Sequence, residues 1–392
     1  MSRIAMGFSN TVDYELEWDA QHIEMLIKKT GLRAEDIERK QEITSLKDLL
    51  SSILFHMRGG TGCGLTLRDP AIIEAFLEGT QYRVTLGGTN IRAAEVISKL
   101  GGTSLVHLVS INPETISNMP DGTEYIGGEK YRCCFPHIAL QYPANAHINA
   151  GEINIQTPRA NRVLYSADIA CMQMELAPRF FERLQDSTIL VISGFDLILD
   201  HDILKKRVQE VSGYLNRMPR FHPVVFYEDG CFADAEKWEI IRCGLRNRID
   251  IYSMNEDELQ SLYGQQIDLF SPQDVLDALK CATKKFPGSV IVVHTCHYVL
   301  CYGDLTDKIV NSMENGMSVA SCRYKYGNVS EILLDGIHQL PFQSEARTFA
   351  RKIELLDNRI RCLPARQIDD VNVTTVGLGD SFVGGFVFEY CR

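Results

Sequence analysis

Short apolar, β-branched runs recur along the chain, and each adjoins a charged amphipathic stretch of helical period. TILVISGFDLI (188–198), HPVVFYED (222–229) and SVIVVHTCHYVLCYG (289–303) are the strongest, with HDILKKRVQEVSGYLNR (201–217) as one neighbouring stretch. A short apolar run without polar alternation has to be buried on both faces, which a sheet achieves when helices cover it on either side. The rhythm therefore predicts an α/β fold with a mostly parallel central sheet flanked by helices. No fixed repeat period accompanies it, so a solenoid or propeller is not expected.

The chain has 392 residues, more than one ordinary domain needs, and a large domain with a smaller one is expected. Residues 111–159 are rich in Gly, Pro and Asn with short strand-like pieces, and read as part of a lid. The expected partition is 1–13, 66–110 and 160–392 for the large domain, with 14–65 and 111–159 for the lid. With 51 acidic against 40 basic residues, the net charge of −11 repels polyanions, so nucleic acid is not an expected partner. A small anion is still accommodated where a few cations and backbone N–H groups converge. No apolar window suits a membrane span, the N-terminus carries no apolar leader, and the 12 cysteines form no framework. The expectation is a cytoplasmic protein with reduced thiols, monomeric or a small homo-oligomer.

In parallel sheets ligands lie beyond the carboxyl ends of the strands. Glu228 and Asp229 follow VVFY there, Asn255 follows IDIYSM, and residues 377–380 follow NVTTV. TTVGLGDSFVGGF (374–386) is the strongest local signal. Such a turn aims backbone N–H groups at a helix N-terminus, an anion site in which Gly377 and Gly379 permit close approach and Asp380 can act as general base. The same four residues also suit an ordinary Asp-capped helix start.

TVGLGDSF, together with GFSNTVDYELEWD near the N-terminus, resembles the paired signatures of ribokinase-like kinases. That resemblance implies that Asp13 grips substrate hydroxyls and that Gly377, Gly379 and Asp380 supply anion hole and base. SMNEDEL (253–259), VVHTCHYVLCYG (292–303), PRANRVLYSAD (158–168), ISGFDLI (192–198) and RYKYGNV (323–329) are similar, in order, to segments of the ADP-dependent glucokinase and phosphofructokinase family. The resemblance implies a ribokinase-like fold with a smaller α/β lid. Its nucleotide contacts would be His294, Gly377, Leu378 and Gly379. Mg²⁺ would be held largely through water by Glu228, Asn255 and Glu258, although Asn-x-x-Glu also suits a helix cap. Phe226 stands where the family's His-x-Glu motif has His.

Gly87 and Gly88 match the family's sugar-side Gly-Gly loop, which here continues with the atypical Thr89, Asn90 and Ile91. Arg159 and Arg162 can fork onto a phosphate or sit in a solvated loop. The partners implied are ADP and a sugar or sugar phosphate. Fructose 6-phosphate is favoured over glucose, because no Glu lies between Arg58 and Thr66, where glucose-specific relatives carry one. An ATP-dependent kinase of another sugar or polyol, and a catalytically silent sensor, are the alternatives. Gly59-x-x-x-x-Gly64-Leu65-Thr66 is no P-loop, since Leu65 replaces the lysine. His294, Cys296, His297 and Cys301 alternate along a strand and do not converge on a metal. Adjacent Cys133 and Cys134 are read as structural.

Overall fold

The computed structural model describes residues 4–128, 130–219, 222–230, 235–304, 306–368 and 376–392. Among these, the apolar runs build a nine-stranded sheet. Its order is Ile360–Pro364, Tyr298–Tyr302, Val290–His294, Ile251–Asn255, Val224–Glu228, Ile189–Ile192, Ile4–Gly7, Ser104–Leu108 and Thr123–Gly127. From Val290–His294 to Thr123–Gly127 the strands are parallel; Tyr298–Tyr302 and then Ile360–Pro364 add antiparallel pairings at the other edge.

Unbroken apolarity has its cause in two cores. Ala5, Leu190, Tyr227 and Ile291 point into one, while their neighbours Met6, Val191, Phe226 and Val292 point into the other. Phe226, at the expected motif-His position, is fully buried with its ring 5.1 Å from that of Phe386. It is a core residue of the strand Val224–Glu228 packed against the C-terminal helix Leu378–Tyr390, and truncating it to alanine would cost about 3–5 kcal/mol. Among the described residues no cysteine is in a disulfide, and no helix is long and apolar enough to cross a membrane.

A second sheet has the order Cys63–Thr66, Asn161–Ser166, Pro136–Tyr142, Thr11–Leu16 and Tyr82–Gly87. It alternates. Leu16, Ile138, Leu140, Val163 and Tyr165 pack on a separate core with the helices Ala20–Thr30 and Leu46–Gly59. Asp13, Thr85 and His137, which face one another in register, occupy the opposite face.

Sheet membership divides the chain differently from the expected domain ranges. Thr123–Gly127, placed with the lid, pairs with Ser104–Leu108 in the large sheet, whereas Tyr82–Gly87 and Asn161–Ser166, placed with the large domain, complete the small one. The chain makes two excursions into the small sheet, 11–87 and 136–166. Local composition marks strands but not their partners, which lie far away in sequence. The GxxxxG stretch ends the helix Leu46–Gly59, with Gly60 as its left-handed cap, and continues as the strand Cys63–Thr66.

Candidate active site

Gly377 opens the helix Leu378–Tyr390 from a left-handed conformation, φ 71°. A side chain there would be strained, and its Cβ would come within 2.7 Å of the Arg92 guanidinium. The expected strand NVTTV falls mostly on 369–375, outside the described residues. Leu378, Gly379 and Asp380 form the first turn, where backbone N–H groups lack helical acceptors. Asp380 is half-buried. Burial raises its carboxyl above the ordinary 3.8, opposed by Arg92 and a hydrogen bond from Thr89.

Arg92, in the first turns of the helix Thr89–Lys99 that follows Gly87 and Gly88, ties this turn to the small sheet. Its Nη2 donates to Asp13 Oδ2 at 2.6 Å, and its Nε lies 3.7 Å from Asp380 Oδ2. Burial works against the charge of Arg92, but Asp13 and Asp380 outweigh it, so the guanidinium is held charged. Asp13 Oδ1 accepts from the Thr11 hydroxyl at 2.7 Å, and any Cβ at Gly87 would overlap the Asp13 carboxylate. Removing one member of a buried pair like Arg92–Asp13 strands the other, at roughly 3–5 kcal/mol.

His137 Nε2 lies 3.4 Å from Asp168 Oδ2. Burial disfavours its charge, yet Asp168 and Asp13 outweigh that and raise its pKa. Arg162 is partly buried and lowered in pKa by burial and by Arg92, so the two guanidinium groups share one neighbourhood with Asp380.

On the other flank of the turn, His294 Nε2 is 3.0 Å from Glu228 Oε1. A Cβ on Gly379 would be 3.7 Å from His294 and 4.0 Å from Glu228, so this pair borders the turn. Asn255 and Glu258 form a reciprocal capping box: Asn255 Oδ1 accepts from the Asp257 and Glu258 amides, and Glu258 Oε2 from the Asn255 amide at 2.8 Å. The cap anticipated as the ordinary alternative is therefore present.

It does not neutralise the pocket. Burial, with Asp229 and Glu228, pushes Glu258 well above its usual range, and burial pushes Asp229 up to about 7 against hydrogen bonds from Tyr252 and Trp238. Asp196 is likewise raised by burial. Glu228 Oε2 is buried with no hydrogen-bond partner among the described residues. Clustered carboxylates with a partnerless oxygen fit a hard divalent cation. Among the described residues no three His, Cys, Asp or Glu side chains are grouped as a direct metal site.

The structure thus gathers Asp13, Gly87, Gly88, Arg162, Gly377 and Asp380 around Arg92, and sets Glu228, His294 and Gly379 side by side. Arg159 serves elsewhere: its Nε donates to the Gly60 carbonyl at 2.8 Å. Sequence reasoning missed Arg92, His137, Asp168 and Asp196. Arg92 did carry a signal, as a lone arginine among the buried Ile91, Ala93, Ala94, Val96 and Ile97 of one helix.

Residues 2–387 match the model of the ADP-specific Phosphofructokinase/Glucokinase conserved region. No match is found among curated proteins. The fold is similar to that of a hypothetical ADP-dependent phosphofructokinase from Pyrococcus horikoshii OT3, at 16% identity and TM-score 0.80, covering 100% of this chain and 98% of that one. It is also similar to an ADP-dependent kinase in complex with fructose-6-phosphate and ADPbetaS (13%, TM-score 0.76, covering 99% and 94%). A third likeness is to adenosine kinase from Schistosoma mansoni in complex with 2-fluoroadenosine (12%, TM-score 0.52, covering 99% and 88%). At these identities the likenesses establish the ribokinase-like fold, and the family follows from the match along nearly the whole chain. The chain belongs to the ADP-specific phosphofructokinase/glucokinase family, ADP-dependent sugar kinases, and is a phosphotransferase with an alcohol group as acceptor.

Proposed function

We propose that the protein transfers the β-phosphoryl group of ADP to a hydroxyl of a sugar or sugar phosphate, releasing AMP, with fructose 6-phosphate favoured over glucose. The observation that carries this reading is the half-buried Asp380 at a helix N-terminus, with the Arg92 guanidinium 3.7 Å away on the acceptor side and the Glu228–His294 pair beside Gly379 on the other. Asp380 takes the hydroxyl proton as the acceptor oxygen forms its bond to phosphorus and the bond to the AMP oxygen breaks. The first-turn amides after Gly377 steady the transferring group's negative charge.

Glu228, Asn255 and Glu258 would hold Mg²⁺ through water, and bound there the ion would neutralise charge on the nucleotide phosphates. Cationic Arg92 and Arg162, and the absence of a Glu between Arg58 and Thr66, support a phosphorylated acceptor. The similar kinase bound to fructose-6-phosphate and ADPbetaS supports the same pairing by analogy.

The test is AMP formation from Mg²⁺, ADP or ATP, and a panel of sugars and sugar phosphates. ADP with fructose 6-phosphate should give AMP. Turnover with ATP alone overturns the donor, and turnover with glucose alone overturns the acceptor. Silence with every acceptor favours a nucleotide- or sugar-binding sensor, a reading motivated by Arg92 already occupying Asp13.

A further inference from the structure

Glu228 ends the strand Val224–Glu228, and the next residue, Asp229, turns its side chain to the other face of the sheet. On the Glu228 face little holds the carboxylate. Its Oε1 meets His294 Nε2 at 3.0 Å, and its Oε2 is buried with no hydrogen-bond partner among the described residues. Ser253, the cross-strand neighbour on the same face, has an unpartnered hydroxyl as well. The last torsion of a glutamate is soft, so a single contact leaves the main chain beneath to set where the carboxylate points.

On the opposite face the main chain is tied down. Asp229 is 8% exposed, and its carboxylate accepts from three donors. The Tyr252 hydroxyl and the Trp238 indole N–H donate to Oδ2 at 2.7 and 3.3 Å, and the Gly230 amide donates to Oδ1 at 2.9 Å. The Asp229 amide donates to the Ser253 carbonyl at 2.9 Å, which carries the strand pairing one step past Glu228. The donors are themselves immobilised. The Tyr252 ring stacks 3.8 Å from Phe286 and 5.2 Å from Tyr227, and Trp238, from the helix Ala235–Leu245, sets its ring edge-on to Phe286 at 5.3 Å. Satisfied in this way, a buried carboxylate adds little stability over an apolar side chain of like volume, but it fixes geometry that an apolar contact leaves loose.

We infer that Asp229 is a positioning residue: latched to Tyr252 and Trp238 on one face, it holds Glu228 on the other at the angle that meets His294 and leaves Oε2 to accept from water around a metal ion. The inference rests on the kinase reading above for the ion, whereas the latch is a property of the chain alone.

Asp229→Asn and Tyr252→Phe test it in the full-length chain. Asp229→Asn removes the charge and keeps one acceptor. Tyr252→Phe keeps the charge, drops one donor and preserves the ring stack, so it should fold even if Asp229→Asn does not. In chain labelled with ¹³C-histidine, free of nucleotide and metal, the His294 ring resonance is assigned through His294→Gln. It should move in both variants, and neither substitution should move it further once Glu228→Gln is in place. With ADP present, the Mn²⁺ concentration giving half-maximal enhancement of solvent-proton relaxation should rise by about tenfold in Asp229→Asn, no more than in Glu228→Gln, and by less in Tyr252→Phe. Adding Asp229→Asn to Glu228→Gln should leave that concentration where Glu228→Gln alone puts it.

A His294 resonance unmoved in both variants overturns the proposal, because Glu228 then keeps its place without the latch; a lowered melting temperature alongside it would make Asp229 purely structural. A rise in the Mn²⁺ requirement that multiplies with that of Glu228→Gln overturns it too, by making Asp229 an independent charge on the ion. Should the parent give no Mn²⁺ enhancement with ADP, the ion seat of the kinase reading falls. The histidine resonance then decides the latch by itself, a shift keeping it and no shift overturning it.

Discussion

In the nine-stranded sheet both faces are covered, and polar chemistry appears where strands stop: Glu228, Asn255 and His294 are each the last residue of their strands. In the five-stranded sheet one face packs on a core, and the other carries Asp13, Glu15, Arg83, Thr85, His137 and Arg162 along strand interiors. On the proposed function the difference separates two tasks: the nucleotide and the proton would be handled at the ends of doubly buried elements, and the acceptor would meet the open face of the small sheet.

That division is broken or sharpened first at Asp380. Asp380→Asn should keep the melting temperature and nucleotide binding while lowering turnover by about 10²–10⁴-fold. Since burial raises the Asp380 carboxyl, the parent's rate should fall with decreasing pH while still above 3.8. Turnover within a few-fold of the parent would take the proton-handling role away from the large sheet.

The small sheet is tested by Arg162→Ala, which should raise the KM for the acceptor by about ten- to a hundredfold. If the KM for ADP moves instead, the open face serves the nucleotide and the separation of tasks fails. Glu228→Gln should then raise the Mg²⁺ concentration required for half-maximal rate by roughly tenfold. An unchanged requirement reduces the acidic pocket to architecture.

The smallest effect concerns His137. Its pKa is raised in the folded state above the ordinary 6.5, so its charge contributes stability that is fully present below about pH 6.5 and is lost as pH rises through the higher folded value. His137→Gln should flatten the melting temperature against pH in that window, by about 1–2 °C. A slope equal to the parent's would mean that the open face carries no protonated histidine.

Much of the large sheet was legible because its rules are local. An unbroken apolar run, then a polar residue, then a helix start announces a parallel strand and its functional end, as with VVFYE and IYSMN. The helix-opening turn at Gly377, Gly379 and Asp380 was readable for the same reason, being contiguous. The small sheet obeys a pairing rule instead, and nothing near Thr11–Leu16 says that Pro136–Tyr142 will lie beside it. Arg92 stayed hidden because the stretch after Gly87 and Gly88 was read for its departure from the family pattern; its partners Asp13 and Asp380 are 79 and 288 positions away. Arg159 and Arg162 looked equivalent in sequence, yet Arg159 donates to the Gly60 carbonyl and Arg162 lies near Arg92 and Asp380.

The two excursions into the small sheet bear on how such an enzyme can be re-engineered. A chimaera that takes only 11–87 from a relative would bring a foreign Thr11–Leu16 against the native Pro136–Tyr142, so strand pairing across the middle of the acceptor face would rest on mismatched halves. A workable graft has to exchange 11–87 and 136–166 together, with four junctions in register. The small sheet is therefore portable as a pair of segments and not as one.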